Sequence, residues 1–297
     1  MDWDKLKTFH AAAQAGSLTK AAEVLGLSQS AVSRQIAALE DSLGVALFHR
    51  HARGLIPTEP GNLLFAASKE IAAKAAIAEA RVQDARDEPS GELKVTAPTA
   101  LGAIWLAPRL SEFHDQFPQI RIRLMLDDYE LDLAGLEAEV GIRPWPSTQN
   151  DLVQRKLLSV RQHLYASHDY IEKRGQPGTA RELDQHAIIH YGPPQQAPIP
   201  GLDWAAKVGR ETGEAPRPAV VEVNTIYGVM KAIEAGMGVG ALPDYVAREN
   251  QKLVRILPDL NGPNFEVYFV YPSELRGSRR IIAFRDFLIE QARRWES

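Results

Sequence analysis

The sequence has 297 residues, which at about 150 residues per domain points to two domains, or three if one is small. Apolar residues make up 45% and charged residues 24%, enough to bury sizeable cores, so bulk disorder and low-complexity architecture are excluded. A formal net charge of −4 excludes a globally basic nucleic-acid coat but not a local basic surface, and the absence of cysteine removes disulfides, thiolate-bound metals and thiol nucleophiles.

Residues 1–57 read as short helices with tight connections. Leu6, Phe9, Ala12 and Ala13 recur at helical spacing until Gly16 stops the helix. Ser17 is placed to N-cap a second helix carrying Leu18, Ala21, Ala22 and Leu25, which ends at Gly26. Ser28 is placed to cap a third, whose Val32, Ile36, Leu39 and Leu43 share one stripe before Gly44. Residues 45–58 look extended and basic around Gly54. Thr58 then caps a helix running to Asp87, with Pro60 tolerated in its first turn. Its Leu64, Ala67, Ile71, Ala75, Ala78, Val82 and Ala85 form one apolar seam. That seam fits a coiled-coil-like helix seeking a partner, or a core helix of the larger domain.

Pro89-Ser90-Gly91 is a hinge. Beyond it strands are expected at 92–97, 120–126, 140–143, 153–159, 187–191, 219–223, 239–242 and 265–271. Helices are expected at 101–116, 131–138, 225–235 and 279–295, and 192–201 is a loop. The alternation argues for α/β units on mostly parallel sheets. No apolar run approaches the roughly 18 residues of a membrane helix. The acidic start Met1-Asp2-Trp3-Asp4 lacks the basic-then-apolar order of a signal peptide, so the expectation is a soluble cytoplasmic protein without a membrane partner.

The strongest motif spans residues 16–50. Two short amphipathic helices joined by Gly26-Leu27-Ser28 have the arrangement of a helix-turn-helix. The third helix turns Gln29, Ser30, Ser33, Arg34 and Ala37 away from its apolar stripe, side chains short enough to let a helix sink into a major groove. The basic strip His49-Arg50-His51-Ala52-Arg53-Gly54 suits a wing lying along phosphates. Residues 1–65 hold six Lys/Arg and six Asp/Glu, so charge alone equally allows a small helical interaction domain.

The segment resembles the N-terminal winged helix-turn-helix of LysR-type transcriptional regulators. The matching residues are Phe9, Gly16-Ser17, Ala21-Ala22, Leu25, Ser28-Gln29, Ser33, Ile36, Leu39-Glu40, Leu43-Gly44, Leu47-Phe48, Arg50, Pro57-Thr58 and Gly61. Pro60 departs from the Ala usual in that family. The seam helix resembles the family's dimerising linker, and residues 91–124 and 223–243 look like the opening of the first lobe and the late helix of the second lobe of its effector domain. The implied fold is mixed α/β: a winged helix-turn-helix (1–58), a long linker helix (59–88), and a two-lobed periplasmic-binding-protein-like effector domain (89–297). Its lobes are expected at 91–161 with 267–297, and at 162–266.

The resemblance further implies a regulator that is not an enzyme. It binds double-stranded promoter DNA as a homodimer or homotetramer, meets RNA polymerase if it activates, and responds to a non-covalent small-molecule effector between the lobes. Gln29, Ser30, Ser33, Arg34, Arg50, Arg53 and Thr58 are its expected DNA contacts. Thr99, Ala100, Asp128, Arg143 and Thr225 are the expected effector contacts. Thr99 and Ala100 begin a helix after the first strand, Thr225 caps another, and helix N-termini favour anions, so an organic anion clamped by Arg143 is expected. Plain N-capping accounts for both threonines as well, and an ion pair for Arg143.

The rival class is an enzyme or solute-binding protein using the α/β cleft. No nucleophile–base pair or phosphate loop supports it. Gly236-Met237-Gly238-Val239-Gly240 follows a helix and precedes a strand, the reverse of a dinucleotide-binding turn. His163 with His168, and His186 with His190, lack the acidic context of a metal site, and no metal or cofactor is expected.

Overall fold

The short helices are closed at both ends by their own sequence. The structure, a computed structural model, describes residues 2–51, 54–83, 88–192, 201–248 and 250–296, and the chain divides into two compact units, Met1–Ala80 and Arg81–Ser297.

In the first unit α1 (Trp3–Ala15), α2 (Leu18–Leu25) and α3 (Gln29–Leu43) stop at Gly16, Gly26 and Gly44. Their φ values of 59°, 65° and 70° lie in the left-handed region that glycine adopts without a Cβ penalty. Ser17 Oγ accepts from Lys20 N–H, and Ser28 Oγ from Ala31 N–H, capping α2 and α3. The three helices bury Leu6, Phe9, Ala21, Val32, Ile36 and Leu39 against Leu47 and Phe48. β1 (Phe48–His51) and β2 (Gly54–Pro57) form an antiparallel hairpin. The helix α4 (Glu59–Gln83) lays Leu64, Phe65 and Ile71 on the same core. Two residues of the expected seam thus serve their own unit, while Leu63 and Val82 stand exposed on α4 at 71% and 74%. Ala85 and Asp87 lie outside the described residues.

The second unit runs β3 (Gly91–Ala97), α5 (Leu110–Gln116), β4 (Ile120–Leu126), β5 (Val140–Arg143), β6 (Leu152–Ser167), α6 (His168–Arg174), β7 (Ile188–Tyr191), β8 (Ala219–Val223), α7 (Ile226–Glu234), β9 (Val239–Pro243), α8 (Asp244–Ala247), β10 (Leu253–Ile256), β11 (Asn264–Pro272) and α9 (Arg279–Glu296). The strands fall in the order β4-β3-β5-β11-β6-β9-β7-β8, with β10 also pairing β6. Two parallel triplets, β4-β3-β5 and β8-β7-β9, flank an antiparallel pair, so the sheet is mixed rather than mostly parallel.

That central pair carries both halves. β6 pairs with β11 from Leu152 to Arg161, and then with β9 and β10 from Gln162 to Ser167. At the changeover Gln162 N–H donates to the Pro263 carbonyl at 3.0 Å and Gly262 N–H to the Gln162 carbonyl at 3.2 Å. The sequence expectation of a strand at 153–159 is therefore too short. Arg161-Gln162-His163 interrupts the apolar alternation, although Gln162 and His163 are in fact buried.

Two helical expectations are also corrected. Residues 101–116 wind continuously but unevenly, as a π-turn (Leu101–Leu106), a 3-10 turn (Ala107–Arg109) and then α5. Pro108 explains the change, because it has no N–H to donate and crowds the carbonyl four residues back. Residues 131–138 form turns, not a helix: Asp132 Oδ1 accepts from Gly135 N–H at 2.8 Å, and Leu136 takes a φ of 56°. α9 closes the first triplet, its Phe284 and Phe287 packing on Phe113 at centroid distances of 5.1 and 5.2 Å.

Candidate nucleic-acid interface and ligand cleft

α3 presents two opposed faces. Val32, Ile36 and Leu39 are buried, while Gln29, Ser30 and Arg34 are exposed and Ser33 is half-buried. The Ser30 hydroxyl lies 3.0 Å from that of Ser28, and Arg34 Nε donates weakly to the Ser30 carbonyl at 3.4 Å. A row of short polar groups and one guanidinium thus follows the first two turns of the helix. Of Arg50 only the backbone, in β1 opposite Leu55, is described, and Arg53 lies outside the described residues.

The hairpin is held by groups to which the sequence reading gave no such role. Glu40 Oε1 accepts from Leu47 N–H at 2.7 Å and from Phe48 N–H at 3.3 Å, where the chain enters β1. Leu55 N–H donates to the Gly16 carbonyl at 3.0 Å, tying β2 to the α1–α2 turn. Thr58, expected among the DNA contacts, is buried. Its hydroxyl donates to the Ala46 carbonyl at 2.8 Å and accepts from Gly61 N–H at 3.0 Å, so it caps α4 and fastens it to the wing. The fit leaves no room at Gly61, where a Cβ would come within 2.0 Å of the Leu47 carbonyl oxygen.

In the second unit the parallel strands end at one cleft of about 780 Å³, lined from one side by Thr99, residues 126–130 and Trp145 and from the other by Tyr191, Gly192 and Asn224. These positions follow the carboxyl ends of β3, β4, β5, β7 and β8, where ligands of open α/β sheets bind. Thr99 and Asp128 are brought to this cleft as expected residues; Ala100, Arg143 and Thr225 are not among its lining. Ala100 is buried at a small void of about 30 Å³ that shares Asp128, Trp145 and Tyr191 with the cleft.

The expected anion clamp is not built. Arg143 is 0% exposed, because all four residues of β5 are buried. Its Nη1 donates to the Asp127 carbonyl at 3.2 Å, its Nη2 to the Thr96 hydroxyl at 3.0 Å, and it lies 5.9 Å from the Trp145 ring. The first helix start is already filled: Thr99 N–H donates to Asp128 Oδ1 at 3.0 Å. The second is closed by its own cap, with Gly228 N–H on Thr225 Oγ1 at 3.0 Å. Burial, reinforced by the neighbouring Asp127, raises the Asp128 carboxyl against the lowering effect of its bonds to Thr99. The Tyr191 hydroxyl is pushed up to about 12, chiefly by burial and further by Asp128 and Tyr129. Tyr129, Glu130, Trp145, Tyr191 and Asn224 are cleft residues that sequence reasoning missed as a set. The acidic run Asp127-Asp128-Tyr129-Glu130 at the end of β4 was the available signal.

A helix-turn-helix with a hairpin wing, a long helix, and an α/β domain with a ligand-sized cleft together define a DNA-binding regulator governed by a small molecule. Residues 3–62 match the family model for bacterial regulatory helix-turn-helix proteins of the lysR family, and residues 86–293 match the LysR substrate binding domain. The chain belongs to the LysR family: it is a DNA-binding transcriptional regulator with an effector-binding domain, not an enzyme.

Its relatives agree. It is 32% identical over 277 residues to an HTH-type transcriptional regulator of Xanthomonas campestris pv. campestris, covering 92% of this chain and 80% of that protein. It is 31% identical over 294 residues to the regulator PtxR of Pseudomonas aeruginosa, covering 98% and 93%. Among solved structures, full-length AphB, the Vibrio cholerae virulence activator, is similar with a TM-score of 0.65 at 27% identity, covering 98% of this chain and 99% of that one. No helix among the described residues is long and apolar enough to cross a membrane.

Proposed function

We propose that residues 1–58 form the DNA-binding domain, in which Gln29, Ser30, Ser33 and Arg34 enter the major groove while Arg50 and Arg53 follow the phosphates. Residues 59–88 pair two copies, so that two recognition helices meet one DNA face in a pseudo-palindromic site. Residues 89–297 hold a non-covalent effector in the cleft, with lobes 91–161 plus 267–297 and 162–266 meeting at Gln162 and Pro263. The regulator acts in the cytoplasm as a homodimer or homotetramer, and meets RNA polymerase where it activates. Thr58 serves this interface by anchoring α4.

The observation that carries the reading is the two-faced α3, whose apolar side is the core of the unit and whose polar side is open over its first turns. The test is selection of binding sites from random DNA, followed by affinity measurements at physiological salt. Arg34→Ala is expected to cost about 1–3 kcal/mol and to relax base choice, while Arg53→Ala weakens all sequences alike. If both variants bind selected sites as tightly as the parent, the assignment fails.

A further inference from the structure

The cleft has a definite charge character. Its charged lining groups are the carboxylates of Asp127, Asp128 and Glu130, and among the described residues no lysine, arginine or histidine lines it. The guanidinium of Arg143 acts on this acidic run but does not line the cleft, and both its terminal nitrogens are engaged, by the Asp127 carbonyl and the Thr96 hydroxyl. At each helix start one amide is already taken from within, Thr99 N–H by Asp128 and Gly228 N–H by Thr225. What the cavity offers instead is acceptor oxygen and aromatic surface, from Tyr129, Trp145 and Tyr191.

An anionic ligand would enter against three carboxylates whose nearby counter-charge, Arg143, is buried and already bonded to the Asp127 carbonyl and the Thr96 hydroxyl. An ammonium or guanidinium group would meet carboxylates in a partly desolvated space beside aromatic rings, the setting in which cations are held by charge and ring quadrupole together. Resting on the reading of this cleft as the effector site, we propose that the effector is an organic cation, a primary amine or guanidinium compound, received by Asp127, Asp128 and Glu130 among Tyr129, Trp145 and Tyr191. Asp128 also holds the Thr99 amide, so it orients the site, whereas Glu130, bonded to the Ser147 hydroxyl, can be neutralised without opening a helix start.

The experiment uses the full chain and a thermal-shift and calorimetric panel of matched probes: benzylamine against benzoate, 1,5-diaminopentane against glutarate, and agmatine. Asn224→Trp, which fills the cleft from an exposed position, identifies ligands that bind there. The expected result is that amine probes stabilise the parent and lose binding in Asn224→Trp, while Glu130→Gln weakens them about tenfold or more. Stabilisation by the carboxylate probes that Asn224→Trp removes would overturn the charge assignment, as would a panel with no amine bound in the cleft. Probe binding that ignores Asn224→Trp would instead overturn the reading of the cleft as the effector site.

Discussion

Arg143 Nη2 donates to the Thr96 hydroxyl across 3.0 Å inside the sheet, so the guanidinium joins β5 to β3 while its other arm reaches the carbonyl after β4. Burial lowers the pKa of the group, and Glu130, Asp127 and Asp128 act against that lowering. Arg143→Ala removes two charge-assisted bonds worth about 1.5–3 kcal/mol each and strips a counter-charge from three carboxylates. A loss of about 3 kcal/mol or more is expected in urea unfolding of the full chain. An unchanged midpoint would show that this side chain does not hold the strands together.

Glu40 plays the corresponding part in the first unit. One carboxylate oxygen receives two backbone N–H groups where the chain turns from α3 into the wing. Glu40→Ala leaves both amides unpaired at that turn, at a cost of about 1–3 kcal/mol. The expected signature is a lower melting temperature together with weaker DNA binding on every sequence. Normal affinity with normal melting would remove Glu40 from the account of how the wing is placed.

Acid should loosen both units, and the sign follows from the histidines. Burial lowers the pKa of His10, His163, His186 and His190 below the ordinary 6.5, so the native chain holds fewer protons than the unfolded one in that range. Their contribution to stability is complete above about pH 6.5 and is lost as pH falls through the lowered native values. His10, whose Nδ1 lies 2.9 Å from the Ser68 hydroxyl on α4, is the only one of these four in the first unit. Melting of the parent is expected to fall between pH 7 and pH 5, with a shallower slope in His10→Asn. A flat profile in the parent would contradict the burial argument.

The exposed apolar residues of α4 give a cleaner test of pairing than the seam residues that pack on the first unit's core. Leu63→Asp and Val82→Asp place charge on residues that are 71% and 74% exposed, and charge buried between two copies is strongly destabilising. Sedimentation is expected to shift toward the monomer in both variants. Ile71→Asp would strike the core of the first unit instead, because Ile71 packs there. Charged variants that sediment as the parent does would rule out pairing through these residues.

How much of this was legible depended on how local the determinants were. In the first unit α2 and α3 are closed by Ser17, Gly26, Ser28 and Gly44, whose partners lie three or four residues away, and the sequence reads them directly. The cleft depends on pairs far apart in sequence. Thr99 looked like an open helix start because the carboxylate that fills it comes 29 residues later. Arg143 looked like a clamp because nothing in Gly141-Ile142-Arg143 tells how deep β5 lies. Pro108 announced its own disturbance and was passed over, while the polar Arg161-Gln162-His163 concealed a strand that continues for 16 residues.

That long strand has a mechanical consequence. β6 and β11 stay hydrogen-bonded to one another up to the changeover, so the two halves of the cleft are joined by a two-stranded ribbon, not by flexible tethers. Shear along such a ribbon breaks the Gln162–Pro263 and Gly262–Gln162 bonds, whereas twist is the deformation that paired strands absorb most readily. The register shift between Val267 and Tyr268 adds a local point of give within it. On the proposed reading of the cleft, rotation of its two halves about this ribbon is the relative motion that keeps both changeover bonds.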